Sequence, residues 1–283
     1  MTNDQRANPA PELPSWAAGA NIADASSARM YDYYLGGYHN FPADQEAAQR
    51  VIAATPTIPA LARVNRAMLR RVVAYLVGEV GIRQFLDIGS GIPTERNVHQ
   101  VAQETAVGTR TAYVDADTVA VMHGREILRD NDGAIALRGD LREPHAILDN
   151  PQLRKLLNLD EPVAVLLFAV LPFLPGDEAY EAVAAIRDVL APGSYIAITH
   201  VVPDGFEGSG VQTSLQVYRQ RTTTPAGLRT RDEILRFFDG FHLVDPGLVW
   251  VTEWRPASDD PRDFSDDPAS SSMLAGVGRL ASN

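Results

Sequence analysis

The chain has 283 residues, 45% of them hydrophobic, with no cysteine and a formal net charge of −11. This length allows one large domain or two small ones with a sizeable core. The lack of cysteine excludes disulfides, thiolate metal sites and cysteine nucleophiles, and the acidic balance argues against a large nucleic-acid footprint. No apolar run approaches the ~20 residues that cross a bilayer. The polar first residues lack a signal-peptide core, so a cytoplasmic protein is expected.

Residues 1–20 are rich in Pro, Ala, Asn and charge and read as a flexible arm. Residues 21–80 read as a helical and aromatic lid segment. Four of the nine tyrosines fall within Tyr31–Tyr38, with His39 and Phe41 beside them, and Gly36-Gly37 breaks any helix begun at Ser26 or Ser27. Two readings stand side by side. The segment covers a ligand and shapes an acceptor pocket, using tyrosine faces that suit a cation, or Tyr31, Tyr34 and Phe41 fix an N-terminal helix to the core. A helix is expected over Asp44–Ala54. Beyond Pro56 and Pro59, an amphipathic helix is expected over Ile58–Val80, with Leu61, Val64, Met68, Val72, Val73 and Leu76 on one face and Gly81 as C-cap. Its arginines Arg63, Arg66, Arg70 and Arg71 read as a solvated group, although Arg63 and Asn65 could reach a ligand carboxylate.

Residues 81–283 read as an α/β core. Phe85-Leu86-Asp87-Ile88-Gly89-Ser90-Gly91 is a short buried strand entering a glycine turn, with helix expected from Thr94 to Ala106, capped by Thr94 or Asn97. Glycines allow close backbone approach, and a helix N-terminus favours an anion. The pattern is a poor dinucleotide fingerprint, because Thr94 occupies the third glycine position and Asp87 lies inside the motif. An Asp ahead of G-x-G suits a ligand with a positive amino group beside an anionic end, and S-adenosylmethionine (SAM) is such a ligand. Thr111–Val114 reads as a second strand ending in Asp115, placed to accept from ribose hydroxyls. A third, Ala134–Arg138, ends in Gly139-Asp140-Leu141, where Asp140 could accept from an adenine amino group. A fourth run, Val163–Val170, and a fifth, Ser194–Thr199, follow. The alternation with helices predicts parallel strands with right-handed crossovers, so Gly89, Asp115, Asp140, Ala169 and His200 should share one edge. Three acidic strand ends after D-x-G-x-G resemble a class I SAM-dependent methyltransferase.

His200, directly after the fifth strand, is the first candidate for a general base, followed by Tyr31 and His39. Its alternative is a histidine that orients a loop or packs under the cofactor. His99 reads either as a pocket histidine or as a plain capping-region residue. Further helices are expected at Thr118–Arg129, Asp177–Leu190, Val211–Arg221 and from the capping box Thr230–Glu233. A strand pattern covers Phe241–Val244 and Leu248–Trp254, and Ser272–Leu280 is apolar enough for a last strand.

A more specific resemblance rests on Ala28-Arg29-Met30-Tyr31-Asp32-Tyr33-Tyr34-Leu35-Gly36-Gly37, Asn40-Phe41, Asp44, Arg63-Val64-Asn65-Arg66, Gln84–Thr94 and Asn97-Val98-His99. It extends to Tyr113–Asp117, Leu190–Ser194, Pro246–Val249 and Trp254-Arg255-Pro256. These residues resemble the actinobacterial SAM-dependent methyltransferase family first catalogued as a domain of unknown function. The resemblance covers about Ala20 to Leu280. It implies a Rossmann-like class I methyltransferase fold, with a seven-stranded, mostly parallel sheet, helices on both faces and an N-terminal helical lid. It implies SAM as cofactor, bound at Gly89, Gly91, Asp115 and Asp140. Together with the strand-end reading, the expected cofactor residues are Asp87, Gly89, Ser90, Gly91, Asp115, Ala116, Asp140, Leu141 and Ala169, with no metal. One departure is Leu171-Pro172-Phe173, where Leu-His-Phe is expected. The charge and the lack of an Asn/Asp-Pro-Pro-Tyr/Phe signature favour a small-molecule or protein acceptor over nucleic acid, and a membrane partner is not expected. Oligomeric state is open. Rival readings are a non-catalytic SAM-binding regulatory protein and a nucleotide-dependent oxidoreductase.

Overall fold

A computed structural model describes residues 21–93, 96–205, 210–222 and 224–281. The expected flexible arm lies outside the described residues, as do Thr94 and the middle of the loop Pro203–Gly210. Five parallel strands form the centre: β1 (Gln84–Ile88), β2 (Arg110–Asp115), β3 (Ala134–Arg138), β4 (Ala164–Phe168) and β5 (Tyr195–Val201). β8 (Met273–Leu280) joins β5 antiparallel, and β6 (Phe241–Leu243) pairs with β8, giving the order β3-β2-β1-β4-β5-β8-β6. The expected sheet had seven strands and the observed one has eight. The extra strand is β7 (Val249–Trp250), which pairs with Leu274 and Ala275 while β6 pairs with residues 278–280 of the same strand β8. β6 and β7 thus divide one strand's place along β8. Asp245-Pro246-Gly247 separates them: proline has no N–H for the ladder, and Gly247 has φ +89°.

The central strands are buried on both faces, because crossover helices cover each side. Leu86, Ile88, Val165, Leu167, Ile196 and Ile198 point to one face, packing with Ile186 of α8 (Glu178–Arg187) and with Phe237. Phe85, Ala164, Leu166, Tyr195 and Ala197 point to the other, against Val72, Val73 and Leu76 and the fully buried Trp254. Val72 and Val73 belong to α3 (Ile58–Tyr75), which continues through one π-helical turn (Leu76–Val80) and stops at Gly81, φ +89°. α3 therefore packs against one face of the sheet along its C-terminal half and faces the cavity along its N-terminal half. Each large aliphatic side chain buried at this seam stabilises by ~1.5–3 kcal/mol.

Three helices roof the carboxyl edge. α1 (Ser27–Tyr34) and α2 (Pro42–Ala54) meet α9 (Gly210–Arg221), after α4 (Val98–Thr105), α5 (Thr118–Ile127), α6 (Pro144–Leu148) and α7 (Pro151–Leu156) in the chain. Met30, Tyr34, Ala47, Ala48, Val51, Ala62 and Val217 form their shared core. Arg29 holds the roof electrostatically. Its Nε donates to Asp44 Oδ2 at 2.8 Å, Nη2 to the Asp24 carbonyl at 2.6 Å and Nη1 to Asp117 Oδ2 at 3.3 Å, ahead of α5. Both Arg29 and Asp44 are buried. α10 (Arg231–Leu235) follows the Thr230 cap, whose hydroxyl accepts from the Glu233 N–H.

Candidate functional site

A cavity of about 230 Å³ lies at the carboxyl edge, between the ends of β1 to β5, the side of α3, and the roof of α1 and α9. All nine residues expected to face the cofactor line it: Asp87, Gly89, Ser90, Gly91, Asp115, Ala116, Asp140, Leu141 and Ala169.

The glycine turn is built by β2. The Val114 carbonyl accepts from the N–H groups of Gly89 (2.8 Å) and Ser90 (3.2 Å), and Asp115 Oδ2 accepts from the Gly91 N–H at 2.7 Å. Gly89 has φ +71°, and a Cβ there would lie 2.3 Å from Val170 Cγ2, so both conformation and packing require glycine. Gly91, φ +66°, has open space where its Cβ would be, on the cavity side of the turn.

The helix expected from Thr94, with Thr94 or Asn97 as its cap, begins at Val98 after an Asn97 cap. Gln100 Oε1 accepts from the Asn97 N–H at 2.8 Å, and the His99 N–H donates to the Tyr113 hydroxyl at 2.8 Å. Internal groups thus take up two of the N–H groups at this helix start. His99 is itself buried, with Nδ1 2.8 Å from the same hydroxyl, and does not line the cavity.

Electrostatically the strand ends are unusual. Burial pushes Asp87 up to about 7, with Arg66 pulling down and Asp115 adding to the rise. Burial likewise raises Asp115 to about 6, against the N–H bonds from Asp117 and Gly91. Asp140 goes the other way, because Arg142 grips its carboxylate: Nε lies 2.9 Å from Oδ1 and Nη2 lies 2.5 Å from Oδ2.

Of the three candidate bases, only Tyr31 reaches the cavity. Its hydroxyl donates to the Ala62 carbonyl (3.1 Å) and accepts from Asn65 Nδ2 (2.9 Å), and burial raises its pKa, so it serves as wall rather than base. His200 projects from the opposite face of β5. Its Nδ1 is 2.7 Å from the Val201 carbonyl and Nε2 is 3.0 Å from Arg229 Nη1. Nδ1 therefore carries the proton and the Nε2 lone pair is engaged by the guanidinium. Burial first, opposed by the Val201 contact and reinforced by Arg229, lowers His200 to about 3. The expectation of His200 as base is corrected by strand alternation: Val201 lines the cavity and His200 cannot. His39 is also outside the cavity, with its ring 3.7 Å from that of His123 and its backbone N–H donating to Asp32 Oδ2.

Several lining residues went unread in the sequence. Arg66, expected among solvated arginines, faces the cavity beside Asn65, whereas Arg63 pairs with Asp263 outside it. Tyr34 and Tyr218 join α1 to α9 through hydroxyls 3.0 Å apart. Phe173 lies 5.5 Å from Tyr218, ring to ring. The sequence signals for these were the aromatic run around Tyr34, the Arg63-Val64-Asn65-Arg66 and Leu171-Pro172-Phe173 motifs, and the insert after the fifth strand, expected to supply acceptor contacts.

A family model for S-adenosyl methyltransferases matches residues 17–281. The chain belongs to this family. It is similar to a Thermobifida fusca YX protein classed as a methyltransferase, with 37% identity, 93% of this chain and 97% of that one covered, and a TM-score of 0.86. It is similar also to a DUF574 family protein from Streptomyces avermitilis MA-4680, with 35% identity, 92% and 98% covered, and a TM-score of 0.85. An O-methyltransferase family protein from Burkholderia thailandensis, at 15% identity, 84% and 63% covered and a TM-score of 0.51, shares the fold. No curated protein matches the chain. This methyltransferase uses SAM, which removes the oxidoreductase reading. Among the described residues, no helix is long and apolar enough to cross a membrane, and no group of three His, Asp or Glu could hold a metal. The cavity suits an amino-acid-bearing nucleoside. Asn65 Oδ1 is buried there with no hydrogen-bond partner, beside a guanidinium and a buried carboxyl.

Proposed function

We propose that this methyltransferase delivers the methyl group of SAM to a small-molecule acceptor by in-line displacement. The observation that carries this reading is the division of the cavity wall. The charged lining residues, Arg66, Asp87, Asp115, Asp140 and Arg142, all lie at the strand ends or on the adjacent turn of α3. The roof end presents aromatic and aliphatic side chains instead.

When bound, SAM supplies a methyl carbon already carried on a good leaving group. Arg66 would hold its carboxylate, and Asn65 Oδ1 and Asp87 would accept from its ammonium, which satisfies the orphaned Asn65 oxygen. Asp115 would accept from the ribose hydroxyls. Asp140 would face the adenine amino group, with Leu141 packed beside it. The roof helices and Phe173 would hold the acceptor in line and keep water out. Among the described residues at the roof end, none offers a proton acceptor near neutral pH: burial raises Tyr31 and Tyr34, and pushes Tyr218 up to about 12. The acceptor then brings a nucleophile that needs no protein base. Pro172, where the family resemblance led us to expect histidine, is consistent with that chemistry.

Calorimetric titration with SAM and with its demethylated product, S-adenosylhomocysteine, tests the reading. Saturable binding that Asp115→Ala loses supports it. Well-folded protein that binds neither ligand overturns it.

A further inference from the structure

The roof end of the cavity carries its own chemical signature. Its walls are Tyr31 and Tyr34 of α1, Leu215 and Tyr218 of α9, and Phe173 after β4, with no charged side chain among the described residues there. An anionic group brought into such surroundings would give up hydration with no counter-ion to replace it. Flat rings are received better: aromatic pairs with centroids about 4.5–7 Å apart gain beyond their buried area. Phe173 and Tyr218, already in contact at 5.5 Å and tilted 57°, form one aromatic wall against which a flat ring can lie.

The polar groups in the roof are hydroxyls, mostly engaged with one another. Thr224 Oγ1 donates to Ser27 Oγ (3.2 Å), and Thr55 Oγ1 lies 2.9 Å from Ser214 Oγ. The tyrosine pair differs in reach. Tyr34 and Tyr218 share one hydrogen bond of 3.0 Å, so one hydroxyl proton lies between the oxygens and the second belongs to the other ring. Burial holds both hydroxyls in their protonated form. One proton of the pair is therefore available to an acceptor atom on a molecule at this wall.

We propose that the methyl acceptor is a small, uncharged, planar ring compound, seated against Phe173, Tyr34 and Tyr218, with a ring heteroatom that accepts the second hydroxyl proton of the tyrosine pair. The proposal rests on the methyltransferase reading of the site and narrows it to a substrate class. The arrangement selects against carboxylates and phosphates at the roof end, because neither finds a counter-ion there, and against ammonium groups because, although the ring faces would receive a cation, they have no lone pair to accept the tyrosine proton. It selects against aliphatic polyols, which leave the aromatic walls without a stacking partner.

The test uses the full chain saturated with S-adenosylhomocysteine, with binding followed by ligand-detected NMR titration. Quinoxaline is the neutral probe, quinoxaline carboxylate the anionic probe and benzylammonium the cationic one. Quinoxaline should bind saturably and at least tenfold more tightly than either ion. The double variant Tyr34→Phe/Tyr218→Phe should keep its affinity for S-adenosylhomocysteine and lose on the order of tenfold for quinoxaline, as expected for one lost hydrogen bond. Phe173→Ala should weaken quinoxaline binding without changing the preference for the neutral probe. Equal or tighter binding of an ion, no quinoxaline binding by cofactor-product-loaded protein, or an unchanged affinity in the double variant overturns the proposal while the methyltransferase reading stands. Failure to bind S-adenosylhomocysteine in the first step is a different result and removes that reading itself.

Discussion

Asp87 changes charge in the neutral range, and cofactor binding should report it. Burial pushes its carboxyl up to about 7 in the ligand-free protein, against an ordinary 3.8. A ligand ammonium facing it stabilises only the ionised form. Binding is then linked to loss of a proton. At about pH 6, roughly one Asp87 in eleven is ionised, and at about pH 7.5 roughly three in four. The apparent dissociation constant for SAM should fall roughly eightfold between those two conditions, ~1.2 kcal/mol. The window closes near pH 8, where the ligand's own α-amino group begins to deprotonate. Calorimetry at about pH 6.5 in two buffers of different ionisation enthalpy measures the protons released. Asp87→Asn should remove the upper step and leave a shallower one near 6 from Asp115. The same carboxyl fixes the sign for folding. Its folded value lies above its unfolded one, so the ligand-free protein loses stability as pH rises from about 4 towards 7, by at most about 4 kcal/mol. An affinity flat across the window, no proton released, or an unchanged slope in Asp87→Asn would refute this reasoning.

Two further predictions separate conformation from chemistry. Gly89→Ala places a Cβ at φ +71° and 2.3 Å from Val170. It should cost ~1–2 kcal/mol from the backbone alone, with the clash added, measured by urea denaturation. Adding Val170→Ala should recover only part of the clash, since the Val170 Cβ itself lies 2.6 Å from the added one, and none of the backbone share; full recovery would show that φ is not the constraint. His200→Asn should cost ~1–3 kcal/mol in stability through its disturbed contact with Arg229, and leave SAM affinity unchanged. A cofactor affinity that moves with His200 would contradict its position behind the sheet.

Much of the core was legible because its signals are local. The apolar runs of β1 to β5, the glycine turn and the Gly81 cap are short-range patterns, and the rule that parallel strands end at one edge brought Asp87, Asp115 and Asp140 together. His200 was misread for a physical reason. β5 is buried on both faces, so Tyr195–Val201 shows no polar alternation to say which side each residue takes. The start of α4 was left between a Thr94 and an Asn97 cap, and Asn97 is the one used, because the turn after Gly91 continues through Pro93. Arg66 looked like its neighbours Arg63 and Arg70, since only tertiary packing turns one face of that part of α3 towards the cavity. β7 lies inside the strand pattern read over Leu248–Trp254, but only Val249 and Trp250 pair, because the chain turns away directly after them.

The cavity wall runs from Ser27 to Met273 in the chain. Its parts come from both ends of the sequence and from most strand ends between, so nothing resembling the site survives in the unfolded polypeptide. Any molecule that occupies it ties distant segments together. Occupancy at a hundred times the dissociation constant should therefore raise stability by about 2.7 kcal/mol, whatever the ligand's identity. A library of unlabelled ring compounds can be screened by heat alone, with the fold reporting its own substrate before any reaction has been observed.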